Sequence, residues 1–96
     1  MIVLVAKYQC KLGKGDEVQS YLNEIKPYVE EHEKGCTVYL ANRSVDDQDA
    51  FLLYEQYIDE AALEAHRETP HFKEIIEGKV IPLLEKRERE VFTLVE

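Results

Sequence analysis

With 96 residues, 45% hydrophobic and 33% charged side chains, and a formal net charge of −8, the chain has material for one small core and a strong acidic excess. That composition argues against intrinsic disorder and against a general electrostatic grip on nucleic acid or an anionic membrane. The run "EKRERE" at 85–90 mixes both signs and reads as a solvated face, not a basic patch.

The opening "MIVLVAKYQC" has no basic lead, and Lys7 interrupts its apolar run. It is too short for a signal-peptide core or a bilayer span. The expectation is a cytoplasmic protein in which Cys10 and Cys36, both at strand ends, stay reduced as small buried hydrophobes. Their separation matches no common zinc spacing.

Residues 2–10 alternate in two sets, and this predicts a strand. Ile2, Leu4, Ala6 and Tyr8 point one way, and Val3, Val5, Lys7 and Gln9 the other. "LGKGDE" breaks it, with Asp16 as the expected helix N-cap. From Glu17 to about Glu33 the period becomes helical, through Val18, Tyr21, Leu22, Ile25, Tyr28 and Val29. Pro27 should kink or divide this helix, and Gly35 should stop it. "CTVYLANRS" predicts a second strand, with Cys36, Val38 and Leu40 opposite Thr37, Tyr39 and Ala41. "AFLLYEQYI" predicts a third, with Phe51, Leu53, Glu55 and Tyr57 on one face. The short polar link "VDDQD" makes them a hairpin. Asp59 caps a short helix through "EAALEAHRE", Pro70 resets it, and a second helical piece carries Phe72, Ile75 and Ile76 up to Gly78. "VIPLLEKRE" then leads to a last strand, "EVFTLVE".

The order strand, helix, strand, strand, helix, strand gives a single α+β domain over 1–96. It is a ferredoxin-like split βαβ sandwich, an antiparallel sheet with both helices on one face. Each strand carries apolar residues on both faces, and the helices can cover only one. An apolar open face on so small a domain calls for a partner, most simply a second copy packed sheet to sheet as a homodimer.

The polar residues that could carry chemistry fall mostly in "YEQYIDEAALEAHRETPHF". His66 shares the helix side of Ala62 and Leu63, which faces the sheet, while Glu64 and Arg67 can point to solvent. An inward His is either a satisfied core residue or a proton acceptor beside a substrate. His71, after Pro70, either orients the second helical piece or lines a pocket mouth. His32 reads as a surface residue at a helix C-terminus. Glu55 sits on a covered strand face, so it must be paired or hydrogen-bonded, or its pKa must rise. Tyr8 and Tyr57 read as core aromatics whose hydroxyls need polar partners, so a small polar cleft is compatible with them. The sequence has no dinucleotide fingerprint, P-loop, structural-zinc pattern or nucleophile elbow. His66 and His71 are not at the i, i+4 spacing of a helical metal pair. A metal using both with Glu55 remains the minor alternative.

"FLLYEQYIDEAALEAHRETPHFKEI" resembles the signature region of the antibiotic biosynthesis monooxygenase family. That region is a strand ending in Glu-x-aromatic, an acidic capped helix, a His, and a Pro-His-aromatic step. Here these are Glu55 and Tyr57, Asp59–Glu60, His66, and Pro70-His71-Phe72. "EEHEKGCTVYLA" and "KLGKGDEVQSYL" extend the resemblance over nearly the whole chain. It implies a dimeric α+β barrel with sheets packed face to face. It also implies a small-molecule cleft between sheet and helices of each subunit. His66 is then the candidate catalytic base, and Tyr8, Glu55, Tyr57 and His71 are candidate substrate-binding residues. One branch oxygenates quinol-type or polyphenolic aromatics with O₂ and no metal, flavin or other cofactor, and that is the leading expectation. The haem-degrading branch uses Asn, Trp and His at positions that align with Tyr8, His66 and Ile76, so it is not expected. An isomerase branch acting on a phosphorylated hydroxyketone has a very similar helix segment. With a non-enzymatic dimeric ligand-binding domain, it forms the alternative.

Overall fold

The alternation of β1 (Ile2–Cys10) decides which way the sheet faces. Leu4, Ala6, Tyr8 and Cys10 are buried, while Lys7 between them is exposed. A computed structural model describes residues 1–95. Its elements run on through α1 (Gly15–His32), β2 (Cys36–Arg43), β3 (Ala50–Tyr57), α2 (Glu60–Glu68), a second helical piece α3 (Phe72–Val80), a short 3₁₀ turn (Ile81–Leu83) and β4 (Leu84–Thr93). The sheet order is β2-β3-β1-β4 with every neighbour antiparallel, which is the expected split βαβ arrangement. No helix among the described residues is long and apolar enough to cross a membrane.

The register fixes the covered face. Leu4 pairs with Glu55 and Val91, Ala6 with Leu53 and Arg89, and Tyr8 with Phe51 and Arg87. Side chains of paired residues share a face, so these all point toward the helices. The helices meet them with Val18, Leu22, Ile25 and Val29 of α1, Leu63 of α2, and Ile75, Ile76 and Val80 of α3.

Several local expectations are corrected. α1 begins at Gly15 and stays undivided through Pro27, which lies on its exposed side. The bond that proline forfeits is on the exposed side, where the freed carbonyl of Asn23 is open to solvent. Asp16 is not the N-cap; it lies inside the first turn and accepts from Arg43 Nη1 at 3.0 Å. The loop before α1 is held instead from across the fold, because Asp49 accepts from the amides of Gly13 (3.0 Å) and Gly15 (2.9 Å). A Cβ at Gly15 would fall against the Gln48 carbonyl and the Arg43 guanidinium, so only glycine fits there. In β2 a bulge after Cys36 breaks the expected alternation. Cys36 stays on the helix side opposite Tyr57, whereas Val38 and Leu40 turn to the open face opposite Gln56 and Tyr54.

α3 is wound wider than an α-helix, with a π-type bond from the Ile81 amide to the Ile76 carbonyl, and it runs past Gly78 to Val80. β4 starts at Leu84, not Glu90, because pairing with β1 recruits the charged run as an edge strand. Glu96, the end of the expected last strand, lies outside the described residues.

Candidate functional site

Three turns bring the polar residues together. α1 ends at His32, and Glu33 caps it, its amide bonding the Val29 carbonyl at 2.9 Å. Gly35 follows, and a Cβ there would strike Ala62, so the turn passes close against α2. α2 starts where Asp59 Oδ1 accepts from the Ala62 amide at 2.8 Å, and this sets its phase so that Leu63 and His66 face inward. At the Pro70 corner, Thr69 Oγ1 donates to the His66 carbonyl (2.7 Å) and accepts from the Phe72 amide (3.2 Å), and His71 is carried back toward Glu33.

The result is a carboxylate between two imidazoles. Glu33 accepts from His66 Nδ1 at 2.8 and 2.9 Å and from His71 Nε2 at 2.5 Å. His66 is 1% exposed, boxed by Phe72 at 5.0 Å edge-on and by Tyr39 and Tyr57 at 5.7 Å. With Nδ1 donating to Glu33, a neutral His66 carries its proton there and leaves a lone pair on Nε2. That nitrogen lies 4.0 Å from Glu55 Oε1, too far for a hydrogen bond, so Nε2 stays uncommitted.

The two carboxylates sit in opposite regimes. Burial works against the Glu33 anion, but the hydrogen bonds and charges of His66 and His71 outweigh it and hold its carboxyl below the usual range. For Glu55 burial wins and raises its pKa. Neither the nearby His66 nor the 2.5 Å hydrogen bond donated by the Tyr57 hydroxyl offsets it. Burial first, and Glu55 second, also push the hydroxyls of Tyr8, Tyr39 and Tyr57 well up, so all three remain protonated donors. The Cys36 thiol is pushed up to about 12, mainly by burial, which leaves it inert.

A small cleft of about 50 Å³ lies between the sheet and α2–α3. The strands contribute Leu4, Ala6, Tyr8, Tyr39 and Glu55 to its wall; His66, Phe72 and Ile76 close the helix side. Of the sequence-level candidates, His66, Tyr8 and Glu55 meet here. Tyr57 is fully buried and does not line the cavity; its ring packs against His66 and its hydroxyl donates to Glu55. His71 lies on the far side of Glu33, in an outer groove with Tyr28 and His32. There its ring stacks on Tyr28 at 5.9 Å.

Sequence reasoning missed Glu33, although the Glu33-Lys34-Gly35 step was visible as part of the family pattern. It also missed Tyr39, whose buried hydroxyl has no hydrogen-bond partner among the described residues. Arg67, expected to face solvent, lines the cavity mouth with Arg87 and Arg89.

Glu33, His66 and His71 also offer three ligand atoms within 4.8 Å of one another, so the metal alternative would use Glu33 in place of Glu55. In the structure Glu33 accepts from one nitrogen of each imidazole, and His66 Nε2 is left open.

Comparison with known proteins agrees with the fold. The family model for antibiotic biosynthesis monooxygenase matches residues 1–78. A Bacillus subtilis (strain 168) protein named "Putative monooxygenase YcnE" is 35% identical over 75 residues, covering 76% of each chain. Among solved structures, a "putative antibiotic biosynthesis monooxygenase" from Caulobacter crescentus superposes with a TM-score of 0.90 at 26% identity, covering 99% of this chain and 90% of that one. One of the same description from Nitrosomonas europaea gives 0.92 at 22% identity over the full length of both, which speaks for the fold alone. The chain belongs to the antibiotic biosynthesis monooxygenase family.

Proposed function

We propose that the protein is a cofactor-independent monooxygenase that inserts one atom of O₂ into a small quinol-type aromatic, with His66 as the base. The observation that carries this reading is His66 itself. It is buried at a cavity wall, with Nδ1 held by Glu33 and Nε2 uncommitted. Nε2 takes a phenolic proton, and the electron-rich ring carbon of the phenolate adds O₂. The imidazolium then returns that proton to form a ring hydroperoxide. Loss of the ring hydrogen with the departing hydroxide leaves a hydroxyquinone and water. The substrate supplies all four electrons; one oxygen atom stays on the ring and the other leaves as water. Tyr8 and Tyr39 both line the cavity and stay protonated, which supports a role as donors to substrate oxygens.

The cleft accommodates dioxygen or the hydroxyl end of a ring, not a whole ring, since a cavity of about 150 Å³ is the size that takes up benzene. Substrate entry therefore requires the mouth side chains to swing outward. The open sheet face supports the companion reading of a homodimer: Leu40 and Phe92 are each 47% exposed there, beside half-buried Val5, Leu52 and Tyr54.

The test is O₂ uptake with a panel of hydroquinones and naphthohydroquinones, without added metal or flavin. His66→Asn keeps a donor for Glu33 but has no Nε2, and it should lower the rate about 10²–10⁴-fold while the circular dichroism stays native. Wild-type uptake no faster than the non-enzymatic rate across the panel defeats the reading. Turnover that proceeds without O₂, with exchange of a carbon-bound proton, points instead to isomerisation of a hydroxyketone by the same base.

A further inference from the structure

The sequence contains four arginines, and three of them, Arg67, Arg87 and Arg89, line this one cavity. They arrive from separate elements. Arg67 lies on α2, next to the base His66. Arg87 and Arg89 sit two apart on β4, on the helix-facing side, opposite Tyr8 and Ala6. The fourth, Arg43, is fully engaged with Asp16, Gln19 and the Gln48 carbonyl. Among the described residues, none of the three at the mouth forms an ion pair or a side-chain hydrogen bond. The mouth has one carboxylate of its own, Glu77, against three guanidiniums. For a chain with net charge −8, this local cationic excess runs against the whole. Its field also reaches inward: Arg87 and Arg89 partly offset the burial that raises Tyr8.

A second observation is independent of charge. Tyr39 is 6% exposed, lines the same cavity, and has a hydroxyl with no partner among the described residues. Buried hydroxyls are normally hydrogen-bonded, so this one is left for a ligand oxygen. Guanidinium groups match carboxylate, sulfonate and phosphate oxygens two at a time, which ammonium groups do not.

We propose that the ligand of this cavity carries an anionic group, held at the mouth by Arg67, Arg87 and Arg89, while a hydroxyl or carbonyl oxygen at its other end meets Tyr39 beside His66. The substrate class is then a small hydroxylated ring or hydroxyketone bearing a carboxylate, sulfonate or phosphate substituent. This deepens the preceding section and rests on its assignment of the cavity as the ligand site, but not on any oxygen chemistry.

The test is binding, measured anaerobically so that turnover plays no part. Phenol and 2-naphthol are compared with 4-hydroxybenzoate, 4-hydroxybenzenesulfonate and 6-hydroxy-2-naphthoate by calorimetry. In parallel, inorganic phosphate and sulfate are titrated into ¹⁵N-labelled protein and the arginine side-chain resonances are followed. The anionic compounds should bind at least tenfold more tightly than their neutral parents, and added salt should weaken them. Arg87→Gln and Arg89→Gln, both at exposed positions, should remove that preference without changing affinity for the neutral parents. Tyr39→Phe should weaken the phenols but leave phosphate binding intact. Anionic probes that bind no better than neutral ones, including no binding at all, overturn the proposal, as does an equal loss for both classes in the arginine variants. Absence of O₂ uptake would defeat the oxygenase reading and leave these binding results standing.

Discussion

Glu33 holds His66 by one ring nitrogen with both of its carboxylate oxygens, at 2.8 and 2.9 Å, across the seam between the end of α1 and the last turn of α2. Removing the carboxylate while keeping its shape separates positioning from packing. Glu33→Gln should lower kcat by about 10² or more, since an amide no longer fixes the His66 tautomer or supports the imidazolium. The same variant should change the acid limb of stability. The folded pKa of Glu33 is depressed, so its contribution is present above the unfolded value and lost as pH falls through the folded one. Wild-type unfolding midpoints should drop through that acid window, and Glu33→Gln should flatten the drop. Unchanged kcat with native folding would remove Glu33 from the mechanism.

Glu55 gives the opposite sign. Its pKa is raised chiefly by burial, so the folded protein binds the proton more tightly than the unfolded chain. Its favourable contribution is complete below the unfolded value and is lost as pH rises through the folded one. Glu55→Gln keeps an acceptor for Tyr57 and never ionises. It should leave stability at pH 4 nearly unchanged and add about 1 kcal/mol near pH 8, roughly 4–8 °C in Tm. Thermal unfolding across that range checks it; destabilisation at every pH would mean that His66 compensates the buried charge.

The dimer reading is tested on the open sheet face. Leu40→Glu and Phe92→Glu place charge on half-exposed apolar positions far from the Glu33–His66 pair. Each should weaken association by about 10² or more, read by sedimentation or light scattering, with secondary structure unchanged. A wild-type species of 11.2 kDa at tens of micromolar would sink the idea.

Period and alternation made most of the frame legible. Strand alternation grouped Tyr8 with Leu4 and Ala6, and Glu55 and Tyr57 with Phe51 and Leu53, without saying which face lines the cleft; helical phase placed His66 inward, because both follow from local geometry. What escaped depends on contacts distant in the chain. Glu33 marked only the end of the first helix until the Gly35 turn, closing on Ala62, set it against α2. β4 was read as starting late because its charged residues have no strand-like pattern of their own; pairing with β1 makes them a strand. The bulge after Cys36 leaves no local signature and reassigns Val38 to the other face. Arg67 has a solvent-facing helical phase, and only the arrival of β4 beside it makes a mouth.

That late-recognised edge has a further consequence. An unpaired strand edge is a template for end-on polymerisation, and β4 presents Lys86, Arg87, Glu88, Arg89 and Glu90 in succession along it. Lys86 and Glu88 already neutralise each other at 2.9 Å. A neighbouring strand sliding alongside would have to align such alternating charges in register and strip them of water. Self-recognition is thereby steered away from open-ended sheet growth.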